Sequence, residues 1–196
     1  MSSTLKPQLE RLHTELVWLH TRWINYRQLL AEGPEQVGLL NCVAPSFFGV
    51  IERVMRDDIV IGLSRLTDRK RVAGKDTLTL SRLIHELHPA DDRTLAIQLR
   101  GRLKEINAKI KDIRTHRNQR VAHLDLVAAI PAVSVVSLGF SRQTISEVLT
   151  MIGDFLNCLQ VYFGNTPTGF DKTYTQYGDA SVLVSQLRRL PPRRTK

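Results

Sequence analysis

Cysteine is scarce in this chain, with two in 196 residues. Cys42 and Cys158 lie far apart in apolar contexts, which reads as free thiols in a reducing compartment, with a single bridge as the alternative. Long apolar runs are also missing, so the sequence predicts neither a membrane span nor a signal peptide, and a cytoplasmic protein is expected. No phosphate-binding glycine loop, nucleophile elbow, zinc finger or helix-turn-helix is found. His85 and His88, three apart around Glu86, supply half of a metal site, but no third or fourth ligand follows and HExxH is absent. Neither a metal nor a cofactor is expected.

What is present is positive charge, a net +9 that is unevenly placed. Between Arg100 and Arg120 eight Lys and Arg residues face only Glu105 and Asp112, and Arg188 to Lys196 adds five more cations with no acid. The remainder is close to neutral. Two basic patches on a neutral body predict a polyanionic partner, nucleic acid being the commonest; a solvated helix face with a frayed tail is the alternative.

Hydrophobic spacing predicts an all-α fold, an antiparallel bundle of four long helices with short additional ones. Leu5, Leu9, Leu12, Leu16, Leu19, Trp23 and Leu30, with Tyr26, give the first helix a four-three seam, ended by Gly33-Pro34. A second runs from about Val37 or Pro45 to Thr67 and is apolar nearly all round, as an element inside the bundle should be. One of its stripes reads Phe47, Ile51, Val54, Asp58, Ile61 and Arg65, which sets Asp58 and Arg65 on a face otherwise made of core residues. Two readings stay open for Asp58. It forms a structural ion pair with a neighbouring helix, or it orients arginines of the central helix.

A polar loop over 68–76 leads to a short helix capped by Thr79, and Asp91 or Asp92 caps the central helix. The β-branched stretch 133–139 reads as a packed linker, and Ser141 caps a further helix with Ile145, Val148, Ile152, Phe155 and Leu159 in its seam. Residues 1–164 form the bundle and 165–196 a C-terminal extension, in which Phe170, Tyr174 and Tyr177 lie over the bundle or stack on bases. The extension ends in a short amphipathic helix and a basic tail.

The chain is organised around residues 95–124. Leu99, Leu103, Ile106, Ile110 and Ile113 keep one helix face, and the same rhythm continues onto Arg117, Arg120 and Leu124. Two guanidinium groups thus stand where hydrocarbon is due, and charges so placed require a carboxylate, a phosphate or water. His123 is within reach of Arg120 at i,i+3. Arg117, Asn118 and His123 are the parts needed to cleave RNA without a metal. They supply a cation for the pentavalent phosphate, a polar residue to hold it and an imidazole that exchanges protons near neutrality. In a straight α-helix Arg117 and His123 stand about 120° apart and about 9 Å along the axis, so one copy cannot focus both on one atom. Two copies in a symmetric dimer would supply acid and base from the same residue type, so a homodimer through this region is expected.

Arginine, a polar residue, a few positions and then histidine, late in a bundle helix, resembles the R-(x4–6)-H motif of HEPN domains. Arg117-Asn118-Gln119-Arg120-Val121-Ala122-His123-Leu124-Asp125 is similar to the AbiU-like, abortive-infection branch, in which an Arg-Leu-Thr-Asp stretch precedes a short helix, here Arg65-Leu66-Thr67-Asp68. The resemblance implies a metal-independent endoribonuclease in phage defence or a toxin–antitoxin system, with RNA as substrate and an antitoxin or other regulatory protein as partner. Carried over, Arg117 and His123 would be catalytic and Asn118 supporting; beside the resemblance, the sequence offers Arg120, Asp58 and Arg65 as further supporting residues and Arg114 and Lys111 as substrate-binding ones. Related toxins silenced by nucleotidyl transfer carry a tyrosine two residues past the histidine; Asp125 stands there, so that regulation is not implied. The competing reading is a helical module that binds nucleic acid or protein without cleaving.

Overall fold

A computed structural model describes residues 4–87, 92–121, 140–172 and 178–189. His88, Asp91, His123, Asp125, the stretch 133–139, Tyr174, Tyr177 and the tail 190–196 lie outside the described residues. Eight α-helices are described: α1 (Leu5–Leu30), α2 (Pro34–Val43), α3 (Pro45–Thr67), α4 (Leu80–Glu86), α5 (Arg93–Lys109), α6 (Lys111–His116), α7 (Arg142–Tyr162) and α8 (Ala180–Leu187). A two-residue hairpin, β1 (Arg71–Val72) with β2 (Lys75–Asp76), stands in the loop after α3, and a π-helical segment, Arg117–Val121, follows α6. The fold is all-α, as the spacing predicts. None of these helices is long and apolar enough to cross a membrane.

The seam of α1 is buried from Leu5 through Tyr26 and packs against α3 and α7. Gly33 takes φ +125, a conformation open to glycine, and Pro34 starts α2 at a position where its missing N–H costs nothing. Ala44, at φ −159 and ψ 75, separates α2 from α3 because the ring of Pro45 disfavours a helical residue before it. Of the two starts expected for this helix, Pro45 is the one found, and α2 precedes it as a separate helix. Thr79 and Asp92 cap α4 and α5 by accepting the N–H of Arg82 and Leu95, and Ser141 forms a capping box with Thr144 on α7. The extension is built into the fold. Phe170 enters the main core, and α8 packs on α1 and α2, where the Ala180 N–H donates to Asn25 at 2.9 Å.

Helix α3 departs from expectation. It is not apolar-buried all round: Phe47, Val54 and Ile61 are 59%, 58% and 37% exposed, and the core face is Phe48, Ile59, Val60, Leu63 and Leu66. A helix with two apolar seams offers periodicity no means of choosing between them. Asp58 and Arg65 belong to the outer seam, so their presence there needs no burial of charge.

The central helix continues through α5 and α6, since Ile110 N–H donates to Ile106 and Arg114 N–H to Ile110. Its expected seam is buried at Leu99, Ile106, Ile110 and Ile113 and half-buried at Leu103. His116, rather than Arg117, takes the next buried place, and the chain then widens into the π-helix. Leu63→Ala should therefore cost about 2–5 kcal/mol of unfolding free energy, as in other large-to-small core changes, and Val54→Ala should stay within about 0.5 kcal/mol. Urea unfolding of the two variants beside the wild type measures the difference.

Candidate functional site

The end of α3, the hairpin, the start of α4 and the side of the central helix enclose a cleft of about 470 Å³. Arg114, Arg117 and Asn118 line it with Asp68, Arg69, Asn107 and Ser81. Asp68 is the residue after the last turn of α3, and its carboxylate reaches across to the central helix. Arg117 donates to it through both terminal nitrogens, Nη1 at 3.1 Å and Nη2 at 3.3 Å, the forked geometry that suits guanidinium to carboxylate. Arg114 approaches the same carboxylate at 3.9 Å through Nε and donates from Nη2 to the Thr67 carbonyl. These contacts tie the C-terminal end of α3 to the central helix.

Three guanidinium groups thus gather about one carboxylate. Burial lowers the Arg114 pKa from its usual value; Asp68 opposes the shift, and Arg117 and Arg69 add to it. The group remains charged at neutral pH, so the cleft carries an excess of positive charge. The Nε atoms of Arg114 and Arg117 are buried and lack a hydrogen-bond acceptor among the described residues. Cationic donors in that condition call for an anion or ordered water.

The π-helical segment starts at Arg117. An extra residue in the turn shifts the phase of the positions within it, and such widened turns recur at functional sites. From Arg117 to Val121 the α-helical spacing accordingly does not apply. Asn118 is exposed at the cleft, whereas Arg120 is half-buried with its charge near His116. Lys111 is exposed. Asp58 and Arg65 are not brought to this cleft. They line a separate groove between α1 and α3, where Asp58 pairs with Arg22 at 2.8 Å and Arg65 forms no ion pair among the described residues. Of the two readings for Asp58, the geometry is that of the interhelical ion pair. The carboxylate on the central arginines is Asp68, whose one signal in the sequence is its place at the end of Arg65-Leu66-Thr67-Asp68.

The HEPN_AbiU2 family model, described as AbiU2, matches residues 2–183. The chain belongs to this family. No curated protein and no solved structure matches it. In this HEPN AbiU2 chain Asp68 of the Arg-Leu-Thr-Asp stretch and Arg117 of the Arg-Asn pair meet in one ion pair, while Arg65 points to another groove and His123 lies outside the described residues. Among the described residues, no group of three His, Cys, Asp or Glu side chains is placed to hold a metal ion.

His116 is the titratable group that spacing did not single out. It is 8% exposed, packs edge-on against Phe140 with ring centroids 5.4 Å apart, and has its pKa lowered by burial and then by Arg56. A histidine kept neutral in the fold leaves stability intact above the unfolded value of about 6.5; it removes stability as pH falls through that value towards its own lower one. Stability should therefore fall on acidification below about pH 6.5, and His116→Gln should lessen that fall without abolishing it, since burial also lowers His13 and His20; thermal melts across pH 5–8 check it. Asp68→Ala should cost about 1–3 kcal/mol at neutral pH, more than an exposed pair and less than a fully buried one, as read by urea unfolding.

Proposed function

We propose that this chain is a metal-independent endoribonuclease that acts as a homodimer, in phage defence or a toxin–antitoxin setting. The observation that carries the reading is the cleft itself, where Arg69, Arg114 and Arg117 line the wall beside the single carboxylate of Asp68. Three arginines around one acid favour a further anion, and a phosphodiester is one that a planar fork fits. Membership of the AbiU2 family supports the setting.

In the proposed reaction the RNA 2′-oxygen bonds to the adjacent phosphorus as the bond to the 5′-oxygen breaks. The products are a 2′,3′-cyclic phosphate and a 5′-hydroxyl. Arg117 stabilises the charge gathering on the phosphoryl oxygens, and Asn118 holds the arginine or the phosphate. His123 takes the proton from the 2′-hydroxyl, and His123 of the partner subunit delivers one to the leaving oxygen. Dimerisation through the Arg117–His123 region supplies the second imidazole.

One observation favours a second reading, a module that binds without cleaving. Asp68 occupies both terminal nitrogens of Arg117, so a phosphate must displace the carboxylate or bind beside it. RNA cleavage by wild type, Arg117→Ala and His123→Ala, compared at equal folded fraction, decides between them. The enzyme reading predicts cyclic-phosphate ends with the wild type and a loss of about 10²–10⁴-fold in each variant. Equal cleavage by all three, or none by the wild type, leaves the binding module.

A further inference from the structure

A second seam runs along the central helix, one residue on from the buried one. Arg100, Lys104, Asn107, Lys111 and Arg114 follow one another at steps of four, three, four and three, so they share a face for about 21 Å of helical rise, and Asn118 of the π-helical segment joins them at the cleft. Its last residues enter the cleft: Asn107, Arg114 and Asn118 all line it. Its outer cations, Arg100, Lys104 and Lys111, are exposed and form no ion pair among the described residues. The two acids of this region, Glu105 and Asp112, each follow a lysine of the seam by one residue and are therefore turned about 100° away from it. Lys109, which lies off this face, pairs with Glu147 on α7. Arg100, Lys104 and Lys111 thus keep their charge free of any ion pair among the described residues, whereas Arg114 at the cleft end meets Asp68.

The hairpin supplies the opposite wall. Val72 lines the cleft, and its cross-strand partner is Lys75, so the lysine projects from the same face of the hairpin. Asp76, the acid on β2, is drawn towards Arg82 at 3.4 Å. The turn is held by Ala73 and Gly74, both at positive φ, which is the backbone that closes a two-residue hairpin tightly.

We infer that this stripe is a track for a single RNA strand, leading its backbone along Arg100, Lys104 and Lys111 into the cleft, with Lys75 gripping it from the hairpin. The inference rests on the nuclease reading of the cleft and adds how the strand reaches it. Among the described residues no aromatic side chain stands in the seam or lines the cleft, so neither offers a platform on which bases stack. Contact is therefore with phosphates, and recognition along the track is salt-dependent and tolerant of sequence.

The test uses the full chain and a fluorescent, mixed-sequence 2′-O-methyl oligonucleotide, which lacks the attacking hydroxyl and so reports binding alone. The track variant carries Arg100→Gln, Lys104→Gln and Lys111→Gln; the control carries Arg27→Gln, Arg53→Gln and Lys172→Gln, with the same net charge. The track variant should bind more weakly, and the slope of log affinity against log salt should fall by about two, at roughly 0.7 per lost phosphate contact. The control should keep most of both, and a variant with Arg100→Lys, Lys104→Arg and Lys111→Arg should match the wild type. All substituted positions are exposed, so unchanged melting temperatures are expected throughout. Equal affinities and slopes for the track and control variants, or no binding by the wild type, overturn the track. Should the track variant lose binding while the wild type fails to cleave the all-ribose strand, the track stands and the nuclease reading falls. Should cleavage persist unchanged in the track variant with equal slopes, the track falls and the nuclease reading stands.

Discussion

A carboxylate at the end of α3 faces two guanidinium groups on the central helix, and the local architecture stems from that imbalance. Asp68 holds Arg117 by both ends of its fork and draws in Arg114, while Arg69 adds a third positive charge to the same cleft. One carboxylate cannot neutralise three cations. The cluster ties the end of α3 to the central helix and leaves the cleft with net positive charge.

The surrounding fold makes the cluster tolerable. Leu99, Ile106, Ile110 and Ile113 anchor the central helix in the core, and His116 with Phe140 continues the seam one step further. The π-helical segment then begins where unbroken periodicity would have driven Arg117 and Arg120 inward. Both arginines end half-buried rather than enclosed, a compromise between hydrocarbon packing and the cost of dehydrating charge. The same helix carries a buried apolar seam and, one residue on, a polar one that opens into the cleft. Core and site are thereby read from adjacent positions.

Much of this was legible in the sequence, for reasons that differ by element. The seams of α1, the central helix and α7 were visible because each has one apolar stripe and clear stops, and Thr79, Asp92 and Ser141 announce their caps. The outward face of α3 was not, since Phe47, Val54 and Ile61 repeat as regularly as Ile59, Leu63 and Leu66. Arg117, Asn118 and His123 were recognisable as one group because they follow one another closely in sequence; Arg117 and Asn118 line the cleft, and His123 lies outside the described residues. The engagement of Arg117 by Asp68 was hidden, because 49 residues separate the two and only the fold brings them together. The π-turn was hidden too, as no residue type marks it. Asp58 illustrates the converse: spacing set it beside the core, whereas it reaches sideways to Arg22.

The central claim is that the arginine cluster receives a phosphate that competes with Asp68. Isothermal titration with a short 2′-O-methyl dinucleotide bearing a 3′-phosphate tests it without any cleavage. The account predicts measurable binding by the wild type, loss in Arg117→Ala and Arg114→Ala, and tighter binding in Asp68→Asn, where the competing charge is gone. Identical affinity in all four proteins, or weaker binding in a folded Asp68→Asn, would contradict it.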